Sequence, residues 1–456
     1  MTTHEVDVAI VGAGTSGCYA GAALANAGYD VVIAERKDES EAGHIACGDA
    51  LKGASAFPDA IPKSAIEPAF TNTDVDHGRF EIPQLDTAVD IPVPGELAVI
   101  DRWEYGRRLI DGATGAGATV HYDTVVKDVR QTDGGRVEGL TAVRKGDPVE
   151  YDASLVIDAA GALSLLQDKT DFDDATFDTN VQYSQFCSAY REVVTVDEPV
   201  DWSDALVFKP TERAAGYLWY FPRTETEINV GLGFQMTEEP MQLVEDLKDD
   251  LREREEFQGA TVDDKLGAAL PTRRPYDSAV APGYMAVGDA AGHVNPTTGG
   301  GIAGAAYAGT YAAEAAIDAL DTDDVSERRL WEYNERVMEH FGARYAALDV
   351  YNIFTTATDV DDLMGLLASL PVEKLSEALY EGSTSIGLWL KLKTAVKSVG
   401  HWDTIYDLYK TKNVADEVLA HYEEYPTDPS GFAQWRDERD ALMERVYDVT
   451  GAEPKY

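Results

Sequence analysis

Hydrophobic and polar positions follow two rhythms along this chain. Val6 to Val11 (VDVAIV) is a near-continuous apolar run of the kind a parallel sheet buries on both faces. It leads into GAGTSG, then CYAGAALANAGY, whose small residues suit a helix lying close on a sheet. DVVIAE follows as a second strand ending on Glu35. The same order returns downstream between Tyr284 and Gly309: an apolar strand (YMAV), a Gly-Asp turn, a Gly-rich loop and an Ala/Gly helix. Between these, about 166–267 changes rhythm. NVQYSQFCSAYREVVTV, DALVFKP and GYLWYFPRTETEINVGLGF are rich in β-branched and aromatic residues and predict an antiparallel sheet, with RTET as a hairpin link. From about 340 onward, segments such as DDLMGLLASL predict helices with acidic faces. No internal repeat or low-complexity segment interrupts the pattern.

The stretch GYLWYFP, Gly216 to Pro222, is the most aromatic of these. As a strand it places Tyr217, Trp219 and Phe221 on one face and Leu218 and Tyr220 on the other. Such a face is either ordinary core or the wall of an apolar pocket. A one-residue shift of register would exchange the two sets.

A chain of 456 residues has room for two or three domains, and 44% hydrophobic content is ordinary for a folded protein. The charge is not ordinary: 38 basic against 82 acidic residues give −44, spread along the whole chain. Such a spread predicts a surface adapted to high salt, where screening over about 3 Å at 1 M removes most self-repulsion. It leaves no basic face for nucleic acid. Three scattered cysteines (Cys18, Cys47, Cys187) make no disulfide framework, and the N-terminal sequence shows no signal-peptide pattern. No metal-ligand cluster is expected either. We therefore expect a cytoplasmic protein, and no apolar run is long enough to span a bilayer.

Gly12, Gly14 and Gly17 stand in G-x-G-x-x-G spacing between a strand and a helix. Gly12 makes the tight turn, Gly14 lets a pyrophosphate approach the backbone, and the helix start offers free N–H groups. Glu35 is placed to accept hydrogen bonds from a ribose diol. In the downstream unit, Asp289 is placed for a sugar-like hydroxyl, and Gly299, Gly300 and Gly301 open a helix whose dipole favours the anionic end of a reduced flavin. A nicotinamide cofactor has no use for a second cradle. An extended ligand needing both is FAD.

With these motifs in this order, the chain resembles the glutathione-reductase-type flavoproteins and, within them, the geranylgeranyl reductase family. The resemblance runs over about 1–340 and rests on GAGTSG with Glu35, ACGD (Ala46 to Asp49), DRWEYGRRL (Asp101 to Leu109), LVIDAAGALS (Leu155 to Ser164), GYLWYFP and GDAAGHVNPTTGGGI. It implies an α/β fold: a Rossmann-type FAD-binding domain of the glutathione-reductase and p-hydroxybenzoate-hydroxylase kind, an antiparallel β substrate domain and a helical C-terminal region. The expected boundaries are 1–75, 98–165 and 268–335 for FAD, 76–97 and 166–267 for substrate, and 336–456 for the helices. The implied cofactor set is Gly12, Gly14, Gly17, Glu35, Arg36, Cys47, Gly48, Arg102, Asp289, Gly299, Gly300, Gly301 and Ile302, with Arg108 a weaker carry-over. The implied substrate wall is Tyr217, Trp219 and Phe221. One departure is the pair Arg273 and Arg274 in GAALPTRRP, whose orientation the sequence leaves open.

The implied activity is saturation of isolated double bonds in geranylgeranyl chains of archaeal lipid precursors, the digeranylgeranylglycerophospholipids. A hydride from flavin N5 reaches one alkene carbon and a proton the other, with no carbonyl to stabilise an intermediate. The protein must then supply an apolar tunnel, tight positioning and a proton source. Cys47 is the catalytic candidate, as proton donor or as a small packing group beside the ring. Cys18 and Cys187 read as packing residues, His44 and His293 as structural or solvated, and Asp49 as a group holding the Cys47 loop through backbone N–H bonds. A prenylated lipid and an electron donor, reduced ferredoxin or NADPH, are the expected partners. Ser383 to Trp402 carries three lysines and no acid, so it reads either as a peripheral contact with the inner membrane face or as a packed helix with its lysines in water. The rival readings are a flavin monooxygenase of an apolar substrate and a non-catalytic prenyl-lipid-binding flavoprotein.

Overall fold

The computed structural model describes residues 2–53, 57–83, 86–93, 95–211, 215–236, 239–369 and 402–456. The basic stretch 383–402 lies outside the described residues except for Trp402, its last.

Strand β1 (Thr2–Val11) is fully buried at Val8 and Ile10 because partners flank it on both edges. These are β11 (Asp147–Asp158) and β2 (Val31–Ala34), both parallel to it. The sheet runs β17 (Val280–Ala281), β18 (Tyr284–Ala286), β11, β1, β2, β8 (Thr119–His121), extended on β11 by antiparallel β10 (Val137–Arg144) and β9 (Thr124–Gln131). Register places the ligand edge. Val11 pairs with Ala34 and Asp158, and Asp158 with Ala286, so four parallel strands end at one level. Gly12, Glu35 and Ala159 leave that edge together, where open α/β sheets bind ligands. Helix α1 (Thr15–Asn26) lies on β2 so closely that a Cβ on Gly21 would stand 2.7 Å from Ile33 Cδ1.

A small sheet of β3 (Ala50–Lys52), β7 (Leu97–Ile100) and β4 (Phe70–Asn72) follows, together with the short α2 (Lys63–Ile66). It joins the ACGD loop to helix α3 (Arg102–Ala116), whose N-cap Asp101 accepts from the N–H groups of Trp103 and Glu104 at 3.0 Å.

The second large sheet has seven strands, in the order β16 (Thr261–Pro271), β12 (Phe186–Thr195), β15 (Glu227–Gln235), β14 (Gly216–Pro222), β13 (Ala205–Pro210), β5 (His77–Ile82), β6 (Thr87–Pro92). All neighbours are antiparallel except β13 and β5. Period 2 sorts its faces. Leu218, Tyr220, Val230 and Leu232 form a core with Leu243 and Leu247 of helix α4 (Pro240–Glu253). Tyr217, Trp219 and Phe221 pack on the opposite side with Val75, Leu97 and Val99.

Helix α5 (Ile302–Asp321) returns to the first domain and packs on α1, a Cβ on Gly309 being only 2.2 Å from Ser16 O. The remaining α-helices among the described residues are α6 (Glu327–Val337), α7 (Ala343–Ala357), α8 (Val360–Ser369), α9 (Trp402–Glu423) and α10 (Phe432–Thr450). Arg273 and Arg274 belong to the seam between them and the sheets. Arg273 donates to Asp178 and Gln185. Arg274 pairs with Asp277 and lies 3.6 Å over the Tyr456 ring, and Arg439 of α10 pairs with the same Asp277. Both arginines thus belong to a buried ionic cluster, in which Arg274 shares Asp277 with Arg439.

Candidate functional site

Gly12 has φ +101°, and a Cβ there would meet Ala159 O at 2.4 Å, so the turn after β1 requires glycine. Gly14 differs: a Cβ would meet nothing within 4 Å, which leaves a bare, open approach to the start of α1. The Glu35 carboxylate accepts from the N–H groups of Ala13 and Lys37, each at 2.9 Å, and so fixes the loop while keeping lone pairs for a further donor. Arg36 beside it is exposed. Arg102, the first residue of α3, is 4% exposed. Its Nη2 donates weakly to Thr15 Oγ1 at 3.4 Å, while Nη1 is buried with no partner among the described residues. A buried guanidinium N–H without an acceptor is costly, and at a helix start beside an open glycine an anion would offset that cost. Arg108 lies elsewhere, held by Glu104 at 2.7 Å and by Ala65 O.

The second cradle faces the first. The Asp289 carboxylate accepts no hydrogen bond from a described residue, and Oδ1 lies 3.6 Å from where a Gly301 Cβ would stand. Burial pushes this carboxyl up to about 6, with the Arg102 charge pulling back. Gly299, Gly300 and Gly301 lead into Ile302, and no side chain caps the start of α5. A guanidinium with its Nη1 unpartnered, a carboxylate that accepts no hydrogen bond from a described residue and an uncapped helix end together fit the pyrophosphate, the ribityl hydroxyls and the electron-rich pyrimidine edge of FAD. His293 is structural: it is 1% exposed, its Nδ1 accepts from Gly288 N–H at 3.1 Å, and burial pushes it down to about 3, so the ring is neutral. His44 is structural too, stacked on Trp103 with centroids 4.5 Å apart and bonded to Asp264 at 2.8 Å.

Between the cradles lies the ACGD loop. A Cβ on Gly48 would stand 3.1 Å from Phe221 Cε2 and 3.3 Å from Trp219 Nε1, so the loop backbone passes directly under the aromatic wall. Tyr217 continues that wall to the Gly-rich loop, its hydroxyl donating to Thr298 O at 2.7 Å. Cys47 is half-buried, and its sulfur accepts from Asp49 N–H at 3.2 Å. Burial, with Asp49 adding to it, raises the thiol above its ordinary range, so it holds its proton at neutral pH. Cys18 is buried on α1, and Cys187 on β12 is pushed up to about 12 by burial. Neither is a thiolate.

Asp49 corrects one expectation. Its carboxylate does not bond loop N–H groups; Oδ2 accepts from Arg223 Nε at 2.8 Å and Asn229 Nδ2 at 2.6 Å, and Arg223 Nη2 is ion-paired with it at 2.7 Å. Its φ of +70° turns the chain so that the side chain points into the second sheet. Burial pushes the Asp49 carboxyl up, while Arg223 and Asn229 pull it back. Asn229 also donates to Cys47 O at 2.9 Å and accepts from Trp219 Nε1 at 2.9 Å. One fully buried amide therefore ties the cysteine loop, the acid and the aromatic wall together.

Arg223 and Asn229 were not among the residues singled out from the sequence. For Asn229 the signal was present: in EINVGLGF the positions facing the same side as the wall are Asn229, Gly231 and Gly233, a polar group and two gaps in an apolar strand. Gly231 is a gap that Trp219 fills, a Cβ there lying 2.2 Å from Trp219 Cζ2. For Arg223, inside the hairpin link, no local signal distinguishes it from a solvated arginine.

Comparison with known proteins adds to this geometry. The FAD binding domain family matches residues 5–340. The digeranylgeranylglycerophospholipid reductase of Methanothrix thermoacetophila is 30% identical over 395 residues, 85% of this chain and 97% of that protein. The enzyme of that name from Sulfolobus acidocaldarius is 27% identical over 459 residues, 97% of this chain and 98% of that one. Among solved structures, a geranylgeranyl bacteriochlorophyll reductase-like protein from Thermoplasma acidophilum superposes with TM-score 0.70 at 22% identity, covering 93% of this chain and 100% of its own. A myxobacterial chondrochloren halogenase shares the fold with TM-score 0.64 at 18% identity, covering 91% and 97%. With a family match spanning most of its length and a relative 30% identical across 85% of it, the chain is an FAD-binding flavoprotein and belongs to the digeranylgeranylglycerophospholipid reductase family.

Proposed function

We propose that this protein saturates isolated double bonds of the geranylgeranyl chains of digeranylgeranylglycerophospholipids, with Cys47 as proton donor and Tyr217, Trp219 and Phe221 as the wall that holds the chain. The observation that carries the reading is the backbone of Cys47 and Gly48 lying against Trp219 and Phe221, between the two flavin cradles. Bound FAD, when reduced, supplies the hydride. Gly12, Gly14, Gly17, Glu35, Arg36 and Arg102 would hold its adenosine and pyrophosphate side. Asp289, Gly299, Gly300, Gly301 and Ile302 would hold its flavin side, with Cys47 and Gly48 beside the ring.

The chain's own groups account for the rest. An isolated alkene becomes electrophilic only as a proton reaches it, so the donor must keep its proton until the substrate is seated. Cys47 meets this requirement through burial. As the S–H bond breaks and the C–H bond forms, Asp49 N–H stabilises the thiolate left behind, which then takes a proton from solvent. The faces of Trp219 and Phe221 favour positive character on the carbon that will receive the hydride. Packing on this wall also keeps water from the thiol. Turnover further needs a reductant for FAD, and ferredoxin and NADPH are the two donors to compare.

Anaerobic incubation of the reduced holoenzyme with digeranylgeranylglycerophospholipid tests the proposal. Mass spectrometry should find two hydrogens added per saturated bond. Unaltered lipid, or oxygen-dependent product, would sink it.

A further inference from the structure

The loop carrying Gly299, Gly300 and Gly301 is closed on itself: Asn295 N–H donates to Gly300 O at 3.0 Å and Gly299 N–H donates to Asn295 O at 2.9 Å. A closed turn of this kind is placed by whatever holds its remaining carbonyls. Two contacts do so, from distant parts of the chain. The Tyr217 hydroxyl, in the aromatic wall, donates to Thr298 O at 2.7 Å. Asn352 of α7 donates from Nδ2 to the carbonyl of Pro296 at 3.1 Å. Pro296 is buried and has no N–H, so that carbonyl is the one backbone hydrogen-bonding group it offers.

A second contact decides which way the Asn352 amide points. The two ends of an amide are alike in shape and opposite in chemistry, one accepting and the other donating. Lys455, in the segment that follows α10, places its ammonium 2.8 Å from Asn352 Oδ1. An ammonium only donates, so it takes the oxygen end and leaves the NH2 end to face Pro296. Lys455 is itself firmly seated. Its Nζ also donates to Asp349 Oδ1 at 2.7 Å, three residues before Asn352 on α7, and to Thr272 O just past β16. Three acceptors thus surround the three N–H bonds, and both Lys455 and Asp349 are buried. The Tyr456 hydroxyl donates to the other Asp349 oxygen and accepts from Arg274 N–H at 3.0 Å, which ties the same cluster to the seam.

Resting on the proposed flavin-side cradle of Asp289, Gly299, Gly300, Gly301 and Ile302, we infer that Asn352, oriented by Lys455, is a positioning residue for the flavin. Through the Pro296 carbonyl it sets where the Gly-rich loop and the start of α5 stand against the flavin's pyrimidine edge. The consequence is electrostatic. The uncapped N–H groups at the start of α5 favour negative charge, so a well-seated loop stabilises reduced flavin more than oxidised flavin. Without Asn352 the loop hangs from Tyr217 alone, and the reduced form loses more than the oxidised one.

The test compares the FAD-loaded wild type with Asn352→Ala and Asn352→Leu, the second keeping the side-chain volume. Both remove the bond to Pro296 while leaving Lys455 with Asp349 and Thr272 O. Melting temperature and FAD content verify folding of each variant. Anaerobic dye-linked reduction gives the flavin midpoint potential, which reads the ratio of affinities for reduced and oxidised FAD. That ratio should fall about fivefold in both variants, the scale of a charge at a helix end. For a two-electron couple this is a shift of about 20 mV to more negative potential. General loosening of the fold would weaken both forms of FAD alike and leave the potential in place. An unchanged potential in both folded, FAD-loaded variants therefore overturns the inference while leaving the cradle reading intact. Asp289→Asn protein that binds FAD as tightly as wild type overturns both.

Discussion

Asn229→Ala is the most informative perturbation of the site. The amide makes three hydrogen bonds, at 2.6 Å to Asp49 and at 2.9 Å to Cys47 O and Trp219 Nε1, and is fully buried. Truncation leaves the Trp219 N–H and the Cys47 carbonyl without partners, while Asp49 keeps Arg223. At about 1–3 kcal/mol for each buried group left unsatisfied, the loss of stability is about 2–6 kcal/mol. Denaturant unfolding at fixed salt measures it. The indole would also lose its anchor, and a shift of about 1 Å in a positioning group can cost roughly 100-fold in turnover. Trp219→Phe removes the donor while keeping an aromatic face. If the network is real, Asn229→Ala in the Trp219→Phe background should cost at least about 1 kcal/mol less than it does alone, beyond the roughly 0.3–0.5 kcal/mol scatter of independent sites. A loss below about 1 kcal/mol, or strict additivity of the two changes, refutes the reasoning.

Further outcomes follow from the same geometry. Cys47→Ala and Cys47→Ser should bind FAD normally but reduce lipid at least about 100-fold more slowly, the typical worth of a positioned proton donor; full alkene reduction by both ends that role. Asp289→Asn should weaken FAD binding about tenfold or more by replacing a charged acceptor, read from flavin fluorescence on titration. His293 is pushed down to about 3 while its unfolded form titrates near 6.5, so the unfolded chain binds the extra proton and stability is lost as pH falls through 6.5. His293→Asn, which keeps an acceptor for Gly288 N–H, should therefore remove about 2 kcal/mol of the destabilisation seen between pH 7 and 5. Lowering salt from about 1 M to about 0.1 M lengthens screening from about 3 to 10 Å and should lower the melting temperature; insensitivity to salt would refute the salt-adapted reading.

Much of the site was legible because each part had a local reason. Gly12 and Glu35 stood out because a strand, a turn and a second strand bring them to one edge of the sheet, where a pyrophosphate and a ribose would lie. The register of GYLWYFP was legible as two alternatives, and the packing of Leu218 and Tyr220 under α4 selects between them. Tyr220 adds a reason of its own, since its hydroxyl bonds Asp250 of that helix on the far side. What was hidden is long-range pairing. Asp49 and Asn229 are separated by 180 positions, and nothing in ACGD or EINVGLGF alone states that they meet. The orientation of the Arg273–Arg274 pair stayed open for the same reason, the Arg273 partners Asp178 and Gln185 lying far away in sequence.

The net charge also divides in a way the sequence does not show. Among the described residues, the buried ones include seven cations (Arg102, Arg191, Arg223, Arg273, Arg274, Arg439 and Lys455) and seven anions (Glu35, Asp49, Asp158, Glu192, Asp250, Asp277 and Asp349). Seven against seven leaves the buried set neutral, so the whole −44 falls on the remaining residues. Salt screens charges at the surface but hardly those inside. The acidic excess is thus carried outside the buried set, while the interior keeps the local pairing that positions chemistry. Within that balanced interior, Arg102, Arg191 and Arg274 each keep a guanidinium nitrogen with no hydrogen-bond partner among the described residues, so charge balance inside the fold does not require that every donor be used.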